Sequence, residues 1–587
     1  MKPVNKLIYR KRRGSVLIIS MIFILVFSAL AVSMASLSGV NLQIADNQRK
    51  ANSALSAAQS GLECGKYLIA QTSLTLAGMP AMNTGRNYVT LTEADTVWTT
   101  LCSQVQGQPW VAGQATQPPS NDEIITPAVN FGAANASFQV RFYRDGNSIQ
   151  LEGIGVDGQV KRQVSINSKI TKDNEVLNYA IASRGRMWLT GDSTVHGNIY
   201  SAWQYQNISP FNMTSDSTVE GTINTILSNI NPTTGLTGPD LYADKFNTNG
   251  TPVLDAQGNR VKIKMPYDLE TLDANGNPVY DDQGNKVISP TDEIQGQCEY
   301  INYGVNYGDK AVNMPGMKIT DYNTTIYYQA TRTANGGSGD IPCPSATQYN
   351  GNDASLETLP TTCGTKWRYE RFPHDAGNYT TGNGIQVKRY IYKDQTFTDA
   401  RLLNDKNALF INCTFNDVLY VDCGKTTSNY NNVRFDNCTF NGTIVTNTPQ
   451  TFNWQKNTLY YTGSATFQNT SADATILAPH FNVNLGNTNP NSGENNVLTG
   501  AIVGGIVDVR GNAEVFGTII SMADTSSYTS GYVSNIGATS DDGGSETTDP
   551  GDVGVINITP DPDKLLPSGI TTPIVIKPLQ DTYSEEI

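Results

Sequence analysis

Charge is scarce in this chain. Only 16% of its 587 residues are Asp, Glu, Lys or Arg, and the balance is acidic, with a net charge of -13. The acidic balance argues against nucleic acid as a partner, because a phosphate backbone is held by a basic stripe, and the one dense basic cluster lies in residues 1–14. Histidine is almost missing: His196, His374 and His480 are scattered, a poor basis for a zinc set or a triad. H-E-x-x-H, G-x-S-x-G, Walker and C-x-x-C patterns are all absent. The chain therefore reads as a non-enzyme, with no cofactor and no metal. Two further absences mark the N-terminal part. There is no charge from Ser15 to Ala45 and no proline from Ser15 to Gly78.

What is present begins with a basic leader, residues 1–14, carrying Lys2, Lys6, Arg10, Lys11, Arg12 and Arg13 and ending in Gly14. Val16 to Ala35 is apolar and uncharged, the length that spans a bilayer core as a helix. Basic flanks stay on the cytoplasmic side, so the bulk of the chain is expected outside. An ordinary signal peptide has a shorter apolar core, and here the run continues past the cleavage-like Ala29-Leu30-Ala31. Leu37, Val40, Ile44, Ala51, Leu55, Ala58, Leu62 and Ile69 then recur at helical steps, and Gly78 and Pro80 supply a stop. One helix over residues 15–78 is expected, about 90 Å long at its usual rise.

These features together resemble a type IV prepilin. The stretch Ala54-Leu55-Ser56-Ala57-Ala58-Gln59-Ser60-Gly61-Leu62-Glu63 is similar to the end of the N-terminal helix in PilX-type minor pilins and related pseudopilins. The resemblance covers residues 1 to about 172. It implies cleavage between Gly14 and Ser15 by a prepilin peptidase, methylation of the Ser15 amine, an inner-membrane stage, and other pilin subunits as partners through the helix. It also implies display on the surface of a Gram-negative-type envelope. One position departs from the family. The fifth mature residue, a glutamate in shaft subunits, is Ile19 here. A buried carboxylate needs a partner, and in the filament it meets a neighbour's amine. A chain without it fits the tip, or low copy number.

Residues 79–172 are expected to form a small β head. Ser137–Tyr143, Ile149–Ile154 and Val160–Ile170 alternate apolar and polar residues around Asp145-Gly146 and Asp157-Gly158 turns, a meander signature. Gly153-Ile154-Gly155-Val156-Asp157-Gly158 matches G-x-G-x-x-G, but a strand follows it where a dinucleotide site needs a helix.

From residue 178 a phrase recurs. Ser193–Ile199 is echoed at Ser217–Ile223, Cys413–Val418 at Cys438–Thr443, and Val497–Ile502 at Glu514–Ile519. Periods of 20–30 residues signal stacked coils. The fold class expected is therefore mainly β with one long N-terminal helix: a pilin-like α+β head followed by a parallel β-helix over 178–520. On that arrangement Cys413 and Cys438 stack in adjacent coils, as thiols or as a disulfide.

Residues 230–400 look like an irregular insertion. Inside it, Thr251–Val261 and Asn277–Val287 each read as a hairpin on an Asp-x-x-Gly-Asn turn. Aromatic residues gather there, and Tyr327, Tyr328, Trp367 and Tyr369 are candidate ligand-binding residues, with host or surface glycans as the partner class. Eight cysteines suit an oxidising compartment. Cys64 with Cys102, and Cys343 with Cys363, are candidate pairs, although spacing does not fix connectivity. Residues 521–587 read as an acidic flexible tail with a terminal strand. The reading that results is a minor, tip-located pilin-like subunit displaying a large β domain for adhesion or assembly initiation. The alternatives are a type II secretion pseudopilin contacting cargo, and a membrane-tethered β-helix enzyme acting on polysaccharide.

Overall fold

The computed structural model describes residues 15–86, 88–111, 122–130, 136–189, 193–203, 210–213, 218–245, 247, 253–265, 305–308, 314, 325–349, 359–372, 380–381, 384–423, 431–447, 453, 455–468, 474–485, 495–509, 512–522, 533–537, 556–560, 566 and 570–586. The chain divides into two units. The first holds residues 1–78, 89–171 and 574–587; the second holds 79–88 and 172–573. The second unit is thus an insertion within the sequence of the first.

In the first unit, α1 runs unbroken over Ser15–Ala77. Its C-terminal half lies on a meander of β1 (Ala136–Asp145), β2 (Ser148–Asp157) and β3 (Val160–Lys172). The two turns carry Gly146 and Gly158 at φ +58° and +63°, the left-handed conformation that Asp-Gly turns supply. α2, Leu91–Gln106, begins at a capping box: Thr90 accepts from the Glu93 amide while the Glu93 carboxylate accepts from the Thr90 amide. It buries Ala94, Val97, Trp98, Leu101, Cys102 and Val105, an i, i+3, i+4 stripe. The strand Thr572–Glu586 then pairs beside β3 as a further member of this sheet. Ser584 and Thr582 hydrogen-bond Ser165 and the Asn167 amide from it.

The helix stripe differs from the expected one. Leu37, Val40 and Ile44 are exposed, and the buried face is built of Ala54, Ala57, Ala58, Gly61, Leu62, Gly65, Leu68 and Ile69. Small residues dominate because helix and strand backbones nearly touch. A Cβ on Gly155 would stand 1.9 Å from the Ala54 carbonyl oxygen, and one on Gly153 would stand 2.1 Å from that of Ala58. The G-x-G-x-x-G match is therefore a packing device for α1.

Among the described residues, the main sheet of the second unit has 26 strands, paired in parallel except for one hairpin. Its strands stack in register as coils. Val195 pairs with Val219, Phe415 with Phe440 and Leu498 with Val515, so each recurring phrase of the sequence is one coil above its echo. Two inward columns are aromatic: Tyr392–Phe410–Phe435–Tyr461 and Phe397–Phe415–Phe440–Phe467, with stacked centroids 4.6 to 5.6 Å apart. Each such ring pair contributes about 0.5–1.5 kcal/mol beyond area burial. One corner column, Asp394, Asn412, Asn437 and Gly463, sits at φ 49° to 65° throughout. Asp, Asn and Gly are the residues that tolerate this conformation. At another corner, Gly442 lies against the Asp417 carbonyl, where a Cβ would come within 1.6 Å.

The coil order departs from chain order. The strand Tyr179–Ser183 pairs on one edge with Asn198–Ser201 and on the other with Ile519–Ser521. The first coil therefore lies inside the stack. Later coils extend from it in one direction to Val305–Tyr307. The chain resumes at the far end, near Gly339–Asp340, and works back to the start. Residues 230–400 thus include coil strands as well as the hairpin sheet Ser228–Ile230, Thr237–Asp244 and Lys262–Met265. The Asp255 turn forms as expected, its carboxylate accepting from the Gln257 and Asn259 amides. Its repeat at Asp281 lies outside the described residues. The expected tail is also structured in part. Val533–Ile536 and Ile556–Thr559 are coil strands paired to the first coil, and Thr572–Glu586 belongs to the first unit.

Gly155→Val should unseat α1 from the meander at a cost of more than about 2 kcal/mol. Hydrogen exchange checks this: amides of residues 136–172 lose protection, those of the coil stack keep theirs, and Gly39→Ala, with open space around it, changes neither.

Candidate functional site

Two surfaces carry the residues singled out by the sequence. The first is the exposed part of α1. Ser15 opens the helix, and Gly14 lies outside the described residues. Val16 to Ile44 present an uncharged, mainly apolar surface, with Ile19 52% exposed among Val16, Leu17, Ile18, Ile22 and Phe23. By length and composition this is a helix able to cross a membrane. Its first ion pairs appear only at Asp46, with Arg49 at 2.9 Å and Lys50 at 2.6 Å, and both basic partners hold the Asp46 carboxyl below its usual range.

The second surface is the antiparallel hairpin Thr362–Phe372 and Ile385–Lys393. Side chains alternate between its two faces, and the register fixes which residues share a face. On one face stand Arg368, Glu370, Phe372, Val387 and Arg389, all buried. Glu370 collects three guanidinium groups: Arg368 at 2.6 Å, Arg389 at 2.9 Å and Arg434 at 3.0 Å. Arg434 also reaches Asp436 at 3.0 Å and Thr462, and Arg389 donates to the Asn432 carbonyl at 2.9 Å. Burial pulls Arg389 down to about 10 against the pull of Glu370, so it stays charged at neutral pH. Phe372 meets Tyr460 edge-on at 5.3 Å. This face locks the hairpin to the coils.

The opposite face holds Trp367 paired with Tyr390, Tyr369 with Lys388, and Arg371 with Gln386. Trp367 and Tyr369 meet edge to face at 5.0 Å, and Tyr369 is 43% exposed. The Lys388 ammonium lies 4.4 Å from the Trp367 ring centre and 5.3 Å from that of Tyr390, and Lys406 lies 5.8 Å from Tyr390. Tyr327 and Tyr328 behave differently. They sit half-buried on the short helix Thr325–Ala330, packed on a coil cluster. Tyr328 is edge-on to Tyr420 at 5.7 Å, with the Arg401 guanidinium 4.9 Å from its ring centre. Their aromatic surface is committed to packing. Tyr300, Tyr303 and Tyr322 lie outside the described residues.

Neither expected cysteine pair is joined, and the seven described cysteines are free thiols. Cys102 is buried on α2, where desolvation pushes its thiol up to about 11, while Cys64 is half-buried on α1. Cys343 and Cys363 both lie near Tyr392, whose hydroxyl donates to the Pro342 carbonyl and also meets Cys343. Cys413 and Cys438 stack in one buried column that Ala465 continues. The Cys438 hydrogen bond holds Cys413 below the usual thiol range, and burial raises Cys438. His196 is an exposed coil residue with Nδ1 2.5 Å from Glu220 on the next coil. His480 is half-buried, and His374 is outside the described residues. No group of three or more His, Cys, Asp or Glu side chains able to hold a metal occurs among the described residues.

No known protein family matches the chain. No curated protein matches it either. Among solved structures, it is similar to the competence-associated pilin ComZ from Thermus thermophilus, at 14% identity over 92% of this chain and 98% of that one. The TM-score is 0.22, a likeness too loose to bear on what this chain does.

Two outcomes follow from this geometry. Glu370→Gln leaves three buried guanidiniums without their shared anion and should cost about 3–5 kcal/mol, read from denaturant unfolding of the full chain. Under native conditions a thiol alkylator should label Cys343 and Cys363 and spare Cys413, Cys423 and Cys438, which react only after unfolding, as peptide mass mapping would show.

Proposed function

We propose that this chain is a type IV pilin-like subunit, anchored by α1 before assembly and afterwards exposed at the cell surface. One observation carries the reading: α1 is a single helix with two environments. Its first half exposes an uncharged, mainly apolar surface, broken only by serines, Asn41 and Gln43, and its second half is buried by small residues against the meander. A core helix would be covered along its whole length, and a signal peptide would not continue as a structural element of the folded unit. A helix that first lies in lipid and then packs among neighbouring subunits needs this division.

Processing between Gly14 and Ser15 by a prepilin peptidase, with methylation of Ser15, belongs to the same proposal. So does a minor, tip-located position. Ile19 offers no carboxylate to a neighbour's amine, and the coil stack adds several hundred residues of bulk to each copy. The stack would act by adhesion or by initiating assembly rather than by catalysis.

The mass of the mature N-terminus tests this. It should begin at methylated Ser15, and Gly14→Val should leave the leader attached. A chain that retains Met1, or one cut after Ala31, would contradict the proposal. Immunogold labelling should place the subunit at filament ends; labelling along the shaft would remove the tip assignment.

A further inference from the structure

We propose that the Trp367–Tyr369 face of the hairpin, with Tyr390 half-buried against the coil core at its margin, is a binding site for an acidic polysaccharide, one whose carboxylate is attached directly to the sugar ring. The proposal rests on the display reading for its setting and gives that reading a ligand class and a site.

Four observations point the same way. The rings are presented by β-strands, and the opposite face of those strands is fixed by the Glu370 cluster, so the platform is held before any ligand arrives. Its outward ring is available, since Tyr369 is 43% exposed. Its charge is opposite to that of the whole protein. The chain carries -13, yet the three residue pairs on this face include Lys388 and Arg371 and no acid, with Lys406 beside Tyr390. Finally, cation and ring coincide, with ammonium groups 4.4 to 5.8 Å from ring centres.

The last point selects the ligand. A uronate-type sugar carries its anion on the same ring whose C–H face stacks on an aromatic side chain. Ammonium and aromatic ring are then needed side by side, as they are here. Exposed Gln386 adds an amide for ring hydroxyls. In a nucleic acid the anion and the stacking base are separated by a sugar, and the charge is denser than two or three cations would balance. A neutral glucan would use the rings and leave the lysines unpaired. Lys388 stands over the half-buried Trp367 ring in a cation–π contact, one that a carboxylate can draw away at little cost.

Titration calorimetry on the full chain in detergent micelles tests the site, with polygalacturonate as the probe and dextran and single-stranded DNA as comparators. Saturable binding to polygalacturonate, weakened by salt and absent with dextran, is expected. Tyr369→Ala and Trp367→Ala should each weaken it about 10-fold, equivalent to about 1.4 kcal/mol. Lys388→Gln should weaken it and flatten the salt dependence, while Trp367→Phe should retain most of the affinity. Circular dichroism melts matching the parent would exclude misfolding as the cause. Equal binding to dextran, no binding to polygalacturonate, tighter binding to DNA, or affinity indifferent to Tyr369 and Lys388 would each overturn the proposal. None of these outcomes bears on the mass of the mature N-terminus, so failure here and failure of the pilin-like reading are separable.

Discussion

The strand Tyr179–Ser183 is paired on both edges, to Asn198–Ser201 and to Ile519–Ser521, and the rest of the second unit depends on that double pairing. A coil stack that began at one end would leave its first strand with an open edge, a template for pairing with other chains. Here the first coil is interior, because the last coils close upon it. The consequence is geometric. The chain enters and leaves the stack at neighbouring points: the Asp173 amide donates to the Pro573 carbonyl, and Lys172 to that of Ile570. Thr572–Glu586 can then pair beside β3, so about four hundred residues of chain are inserted in the sequence between two strands that are neighbours in a small sheet.

Two packing regimes serve the two units. In the first, backbone meets backbone, and the contact is made by leaving side chains out at Gly61, Gly65, Gly153 and Gly155. In the second, large rings stack in register, coil upon coil, and the strained corners are taken by Asp, Asn and Gly. Both depend on repetition at fixed spacing, and each is disrupted by a single misplaced methyl or a single lost ring. The hairpin Thr362–Lys393 joins the second regime to a charged one. Its buried face is ionic, with partners enough to offset most of the desolvation, and this frees its other face for an aromatic and basic surface.

Much of this was legible in the residues. The charge-free run from Ser15, the Asp-Gly turns of the meander and the recurring phrases translate into α1, the β1–β3 hairpins and the stacked coils, because each is a local pattern with one satisfactory geometry. Two further signals are legible as well. Thr90-Leu91-Thr92-Glu93 ahead of the Ala94–Val105 stripe spells a capped helix, and the columns of Asp394, Asn412 and Asn437 mark a recurring left-handed corner. Of the apolar stripe on α1, Ala58, Leu62 and Ile69 are covered while Leu37, Val40 and Ile44 stay exposed, since periodicity finds apolar residues and does not say that small neighbours will complete the covered face.

The sequence by itself determined the elements, the apolar helix and the in-register echo of coil on coil, since these follow from spacing along the chain. Only the tertiary structure decided the rest. It placed the first coil inside the stack, returned the last strand to the first sheet, gathered Arg368, Arg389 and Arg434 about Glu370, and left Cys64 and Cys102 unjoined. Its long-range contacts, such as Arg434 with Glu370 or Tyr179–Ser183 with Ile519–Ser521, join residues far apart in the chain, and no periodicity records which distant partner a strand or a charge will meet.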